Sequence, residues 1–135
     1  MTIDNDGKSN GRRNRGSTIG TWIRTTSPER SIHLCKTSFY PHRLRLLGPS
    51  HNFGLTHRVS RVGPITLGDI TYDTDIALSF DEIRASYHIN VPIKGWLQSR
   101  HRGLETTPSP EIASIYRPDG EIVVTRWPGG TRISR

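Results

Sequence analysis

The segment from Tyr87 to Trp127, YHINVPIKGWLQSRHRGLETTPSPEIASIYRPDGEIVVTRW, constrains the fold of this chain more than any other. It is a series of short alternating runs, each cut off by a Pro or Gly turn. Tyr87, Ile89, Val91 and Ile93 give the cleanest alternation, with His88 and Asn90 on the opposite face. A period of two belongs to a strand with one buried side. His101-Arg102-Gly103 reads as a hairpin turn, and Pro118-Asp119-Gly120 has the Pro and Gly chemistry of a tight turn. Short strands at regular spacing predict an all-β sandwich or barrel.

Upstream of this segment the period changes. Ser27 is a suitable N-cap, Pro28 a suitable first helical residue, and Glu29 complements the positive end of the dipole. Ile32, Cys35 and Phe39 recur at three- and four-residue spacing, so a helix is expected over Pro28–Ser38. Tyr40-Pro41 stops it. Period two then returns through Leu44 and Leu46, through Phe53, Leu55 and Val59, and through Ile76, Leu78 and Phe80. Between Leu67 and Ile70 the apolar phase slips across Gly68-Asp69, which predicts a β-bulge or bend. Pro92 lacks a donor and predicts an edge or a bend in its strand.

At 135 residues the chain has room for one domain. Its 32% hydrophobic content is low for a globular protein, which suggests that part of it is unpacked. Residues 1–26 are polar and Gly- and Arg-rich, and they read as a disordered basic tail ahead of a domain over 27–135. The net charge of +7 sits mostly ahead of the strand-rich body: residues 31–63 carry five Lys/Arg and no acid, while residues 64–135 sum to −1. A nucleic-acid reader more often carries its charge on the folded surface that does the reading. Cys35 is the single cysteine, so no internal disulfide framework exists and a reducing, cytoplasmic setting is the simplest expectation. No apolar run approaches the ~20 residues needed to cross a bilayer.

No catalytic constellation stands out. A cupin-type metal site needs His-x-His on one strand, and none of the six histidines has that spacing. Asp73 and Asp75 could share a face but have no further ligands nearby, and turn positions are the simpler reading. His33 and Cys35 point to different faces of a helix, which argues against a thiolate–imidazole pair. No cofactor is expected. Tyr72, Tyr87, Trp96 and Trp127 are the candidate pocket residues, able either to line a ligand cavity or to fill a small barrel core.

Five stretches then follow in order: Tyr40-Pro41-His42-Arg43-Leu44, Gly68-Asp69-Ile70-Thr71-Tyr72, Tyr87 through Gly95, Tyr116-Arg117-Pro118-Asp119-Gly120, and Arg126-Trp127. Over about residues 27 to 133 the chain resembles the AraC-binding-like N-terminal domain of AraC/XylS-type transcription regulators. The resemblance implies a cupin-like, jelly-roll barrel, incomplete at its C-terminus. It also implies a domain that senses a small-molecule effector and helps to form a homodimer or to pair with a full-length regulator. It implies a non-enzymatic protein without its own helix-turn-helix, and hence without sequence-specific DNA binding. A remnant with no activity is a further possibility within this resemblance. The alternatives are a small metal-dependent cupin enzyme and a basic nucleic-acid-binding protein using Arg12 to Arg61. Two positions depart from the family pattern: Asp73 and Glu111 stand where Gly is usual, and Glu111 would be strained if its backbone needed a positive φ.

Overall fold

The computed structural model describes Thr2–Asp4 and residues 17–135. Twelve strands and one α-helix are described: β1 (Thr2–Asp4), β2 (Ile23–Thr25), α1 (Pro28–Ser38), β3 (Arg43–Leu46), β4 (Leu55–Val62), β5 (Ile65–Tyr72), β6 (Ile76–Phe80), β7 (Ser86–Lys94), β8 (Gln98–His101), β9 (Leu104–Thr106), β10 (Ser114–Tyr116), β11 (Ile122–Trp127) and β12 (Arg132–Ser134). The strands form two antiparallel sheets. One runs β2-β4-β5, then a slot shared by β12 and β1, then β7, with β10 on the far side of β7. The other runs β3-β6-β11-β8-β9.

Alternation puts one face of each sheet inside. Leu55, Ile70, Tyr72 and Ile133 from the first sheet meet Ile76, Leu78, Phe80, Ile122, Val124 and Trp127 from the second in one core. Each such side chain contributes about 1.5–3 kcal/mol by leaving water. The largest member, Trp127, is fully buried, meets Tyr72 edge to face at 5.1 Å, and donates its indole N–H to the Thr131 carbonyl at 3.0 Å.

The helix lies where its signals place it. The Ser27 hydroxyl accepts from the Arg30 N–H at 3.2 Å, and Cys35 packs into the core. Phe39 lies against Gly68 so closely that a Cβ there would come within 2.2 Å of its ring. The Arg102-Gly103 turn has φ of 52° and 76°, the left-handed pair that a two-residue hairpin requires.

Several expectations change. The all-β, cupin-like architecture is present as two facing sheets, not a closed barrel, because β9 and β10 end their sheets without a shared ladder. The phase slip at Gly68-Asp69 is not a bulge. Strand β5 pairs residue by residue with β4, and Ile65 and Leu67 lie on the opposite face from Ile70 and Tyr72. Pro92 is in a central strand opposite Ile133, at the point where the β7–β12 register shifts. Residues 5–16 lie outside the described residues. Within the expected tail, Ile23–Thr25 pairs with Leu55–His57 and Thr18 bridges to Arg61, so ordered structure begins before residue 27. Positive φ among the described non-glycine residues occurs at Arg84 and Arg102, so Asp73 and Glu111 carry no such strain.

Strand β12 joins the two halves of the first sheet, and this makes a stability test. Ile133→Ala is expected to cost about 2–5 kcal/mol in urea unfolding, because Ile133 is fully buried. Ile115→Ala, at 65% exposure, is expected to stay within about 0.5 kcal/mol. Equal effects would overturn the placement of β12.

Candidate ligand groove

A groove of about 390 Å³ lies between the free edges of the two sheets. Leu104 and Thr106 of β9 form one wall. Ser114 and Ile115 of β10 form the other, with Pro108, Ile112 and Ala113 from the connection between them. Leu104, Ile112 and Ile115 are 65–70% exposed, unusually open for large aliphatic side chains. Local chemistry explains the opening. The Arg102-Gly103 turn folds β9 back on β8, while the Ser109–Ile112 backbone bridge turns the chain away before β10 begins. β9 and β10 share no ladder, and the Ser114 hydroxyl donates to Thr106 Oγ1 at 3.3 Å.

Tyr116 and His101 meet edge to face at 5.7 Å and form the inner end of the groove. His101 is fixed at both nitrogens. Its Nε2 accepts from the Arg117 N–H at 3.1 Å, so its Nδ1 donates to the Glu121 carbonyl, also at 3.1 Å. The Tyr116 hydroxyl lies 2.7 Å from Ser99 Oγ and 3.5 Å from the Asn90 amide. Asn90 Oδ1 lies 2.9 Å from His88 Nε2, and the Arg135 guanidinium lies 2.9–3.1 Å from the same nitrogen. A continuous polar path therefore leads from the groove into the interior.

The four aromatics named from sequence do not meet in one pocket. Tyr72 and Trp127 are packed in the core. Tyr87 is half exposed on the outer face of β7. Trp96 stacks with the Arg126 guanidinium at 5.5 Å, beyond the groove. Sequence reading missed Leu104, Ile112 and Ile115, because single apolar residues in polar loops carry no periodicity. It also missed Asn90 and Arg135; the alternation of β7 had placed Asn90 opposite the apolar residues, and that face is the inner one.

Other candidate groups are structural. Burial raises the Cys35 thiol above its ordinary range, so it is not a thiolate, and it sits 3.9 Å from the Tyr72 hydroxyl. Asp73 pairs with Arg24, and Asp75 accepts from the Gly129 N–H and from Arg126. These contacts, the Gly129 N–H first, hold the Asp75 carboxyl below its usual range. Among the described residues, no group of three His, Cys, Asp or Glu side chains converges as a metal site. No helix in them is long and apolar enough to cross a membrane.

Residues 33–133 match the AraC-binding-like domain family. The chain belongs to that family. A probable thc operon regulatory protein of Rhodococcus erythropolis is 35% identical over 89 residues, covering 66% of this chain and 27% of the relative. The matched stretch spans about a quarter of that regulator's length. The crystal structure of the AraC-like transcriptional activator CuxR superposes with a TM-score of 0.64 at 12% identity, over 85% of this chain and 45% of that one. That likeness is one of fold. Family and relatives together support a regulatory ligand-binding domain.

Three histidines of this AraC-binding-like domain, His57 and His88 buried and His42 partly buried, are held below their ordinary pKa. Burial is the main cause at His42, His57 and His88, and the Arg135 charge adds to it at His88. The unfolded chain therefore takes up protons that the folded one refuses. Stability is full above the unfolded value of 6.5 and falls as the pH drops below it. Urea midpoints measured from pH 7.5 to 5 are expected to decline, by about 1.4 kcal/mol per pH unit for each such proton. His57→Leu, which removes one of these groups, is expected to flatten the decline. A flat wild-type profile would show that these rings titrate normally.

Proposed function

We propose that this chain is the effector-sensing part of an AraC-type regulator and that it binds a small molecule in the β9–β10 groove. The observation that carries the reading is the groove itself. It has apolar walls exposed to solvent, a few convergent hydroxyls, and a floor wired by hydrogen bonds into the interior. Exposed Leu and Ile side chains around a concavity with a small number of polar groups are what a small-molecule site presents. On this reading the chain does no chemistry of its own and acts in the cytoplasm. It works by pairing with a second copy.

The test is a small-molecule screen by thermal shift on the 135-residue chain, followed by titration of any hit. Ile112→Glu and Leu104→Asp are expected to weaken a true groove ligand at least tenfold. Both residues are exposed, so melting of the free protein should change little. A hit that binds both variants like the wild type would remove the groove from the proposal.

A further inference from the structure

The groove between β9 and β10 carries no formal charge. Among the described residues, no Asp, Glu, Lys or Arg lines it. His101 at its inner end is uncharged in the observed bonding, because its Nε2 accepts from the Arg117 N–H. The charged side chains nearest along the chain are engaged elsewhere. The Glu111 carboxylate accepts from the Ser109 hydroxyl at 2.7 Å, and Arg102 and Arg117 pair with Asp119. Glu105 stands opposite Arg100, on the other face of β9 from Thr106, which stands opposite the buried Ser99. An ion entering this groove would lose hydration and meet no counter-charge.

A second, independent observation sets the hydrogen bond that the groove offers. Ser114, Thr106, Ser99 and Tyr116 form a line of four hydroxyls, joined at 3.3, 2.9 and 2.7 Å. The three links use three of the four protons. Asn90 sets the direction at the inner end, where its side-chain N–H donates to the Tyr116 oxygen at 3.5 Å. Tyr116 is buried, so its own proton must find an acceptor within the protein, and Ser99 Oγ is in place to take it. Ser99, also buried, then donates to Thr106 Oγ1, and Ser114 donates to the same atom. Both lone pairs of the Thr106 oxygen are thereby used, and the proton left over is its own. Thr106 is the exposed member of the line and faces the groove.

We infer that the groove selects a neutral, largely apolar effector with a carbonyl-type acceptor, and that the Thr106 O–H binds this acceptor. This rests on the reading of the groove as the effector site. Leu104, Ile112 and Ile115 suit the apolar body of such a molecule. A carboxylate would offer an acceptor but bring a charge that no wall balances. An ammonium ion would bring a charge and no acceptor.

The experiment uses the full chain and three probe sets of matched length, the straight-chain amides, carboxylates and alkylammonium ions of four to eight carbons, at pH 7.5. Titration calorimetry is expected to detect binding of at least one amide, with the acid and the amine of the same length at least tenfold weaker. Thr106→Val is expected to weaken the amide at least fivefold, and Thr106→Ser, which keeps the hydroxyl, to restore it. Ile112→Lys puts a cation on an exposed wall position and is expected to raise carboxylate affinity at least tenfold. Binding of none of the three sets overturns the inference, as does an amide affinity that Thr106→Val leaves unchanged. It is also overturned if Ile112→Lys brings no gain for the acid. Ile112→Glu separates the two readings. Acid, amide and amine that bind the wild type alike and all fail with Ile112→Glu leave the groove standing and overturn its preference for neutral molecules. An amide that binds Ile112→Glu like the wild type removes the groove, and the inference falls with it.

Discussion

The fold depends on the crossing from β11 to β12. Trp127 ends β11 in one sheet, and after a short turn Arg132 begins β12 in the other. The Gly130 N–H donates to the Tyr72 carbonyl, the Gly129 N–H donates to Asp75, and the Trp127 indole donates to Thr131. These bonds hold the largest buried side chain and the start of β12 in one unit. Without β12, β5 and β7 would share only the tripeptide β1 between them. The central strand of one sheet is thus supplied by a segment more than sixty residues from one of its neighbours. Pairings of that separation must close large loops before they are rewarded.

The interior is not purely apolar, and this bears on the low hydrophobic content. His57, Ser86, His88, Asn90, Ser99, Ser114 and Arg135 are all buried. Composition alone read the shortfall as an unpacked segment. Much of it comes from polar residues facing inward between the sheets. Several satisfy one another, as Tyr40 does with Ser86 and Ser99 with Tyr116. Those that do not are concentrated at His57 and at the His88–Arg135 end of the polar path. A stretch of core that gives up apolar packing for polar groups specifies an environment, and the family to which the chain belongs is one whose domain meets ligands.

Most of the architecture was legible because it follows from period and punctuation. Helix α1 is bounded by Ser27 and Tyr40-Pro41, and β7 by the alternation from Tyr87 to Ile93; both appear as read, to within a residue. The misses share a cause. The slip at Gly68-Asp69 looks like a bulge when every apolar residue is assumed to face inward, yet Ile65 and Leu67 face out. Pro92 reads as an edge or a bend; the strand is central, and the irregularity is the register shift opposite Pro92. Tyr72 and Trp127 were candidates for a pocket on size and aromaticity, which are equally the marks of a core. The groove was invisible because it is made by the ends of two sheets, a relation between β9 and β10 that no local pattern encodes.

The four sheet edges are treated differently, and that difference locates function. Strand β3 carries Arg43 and Arg45 outward, and β2 is three residues long with Arg24 tied to Thr56 and Asp73. Charge and brevity discourage pairing at such edges. Strands β9 and β10 are as short, but apolar residues surround them, so this end is unprotected unless something occupies it. Strand β7 also links the groove to β12. β10 pairs with β7 through Ser114–Asn90 and Tyr116–His88, while β12 pairs with β7 from Val91 to Lys94. A ligand that moved β10 would therefore load the β7 ladder directly, and through it the strand that holds the first sheet together.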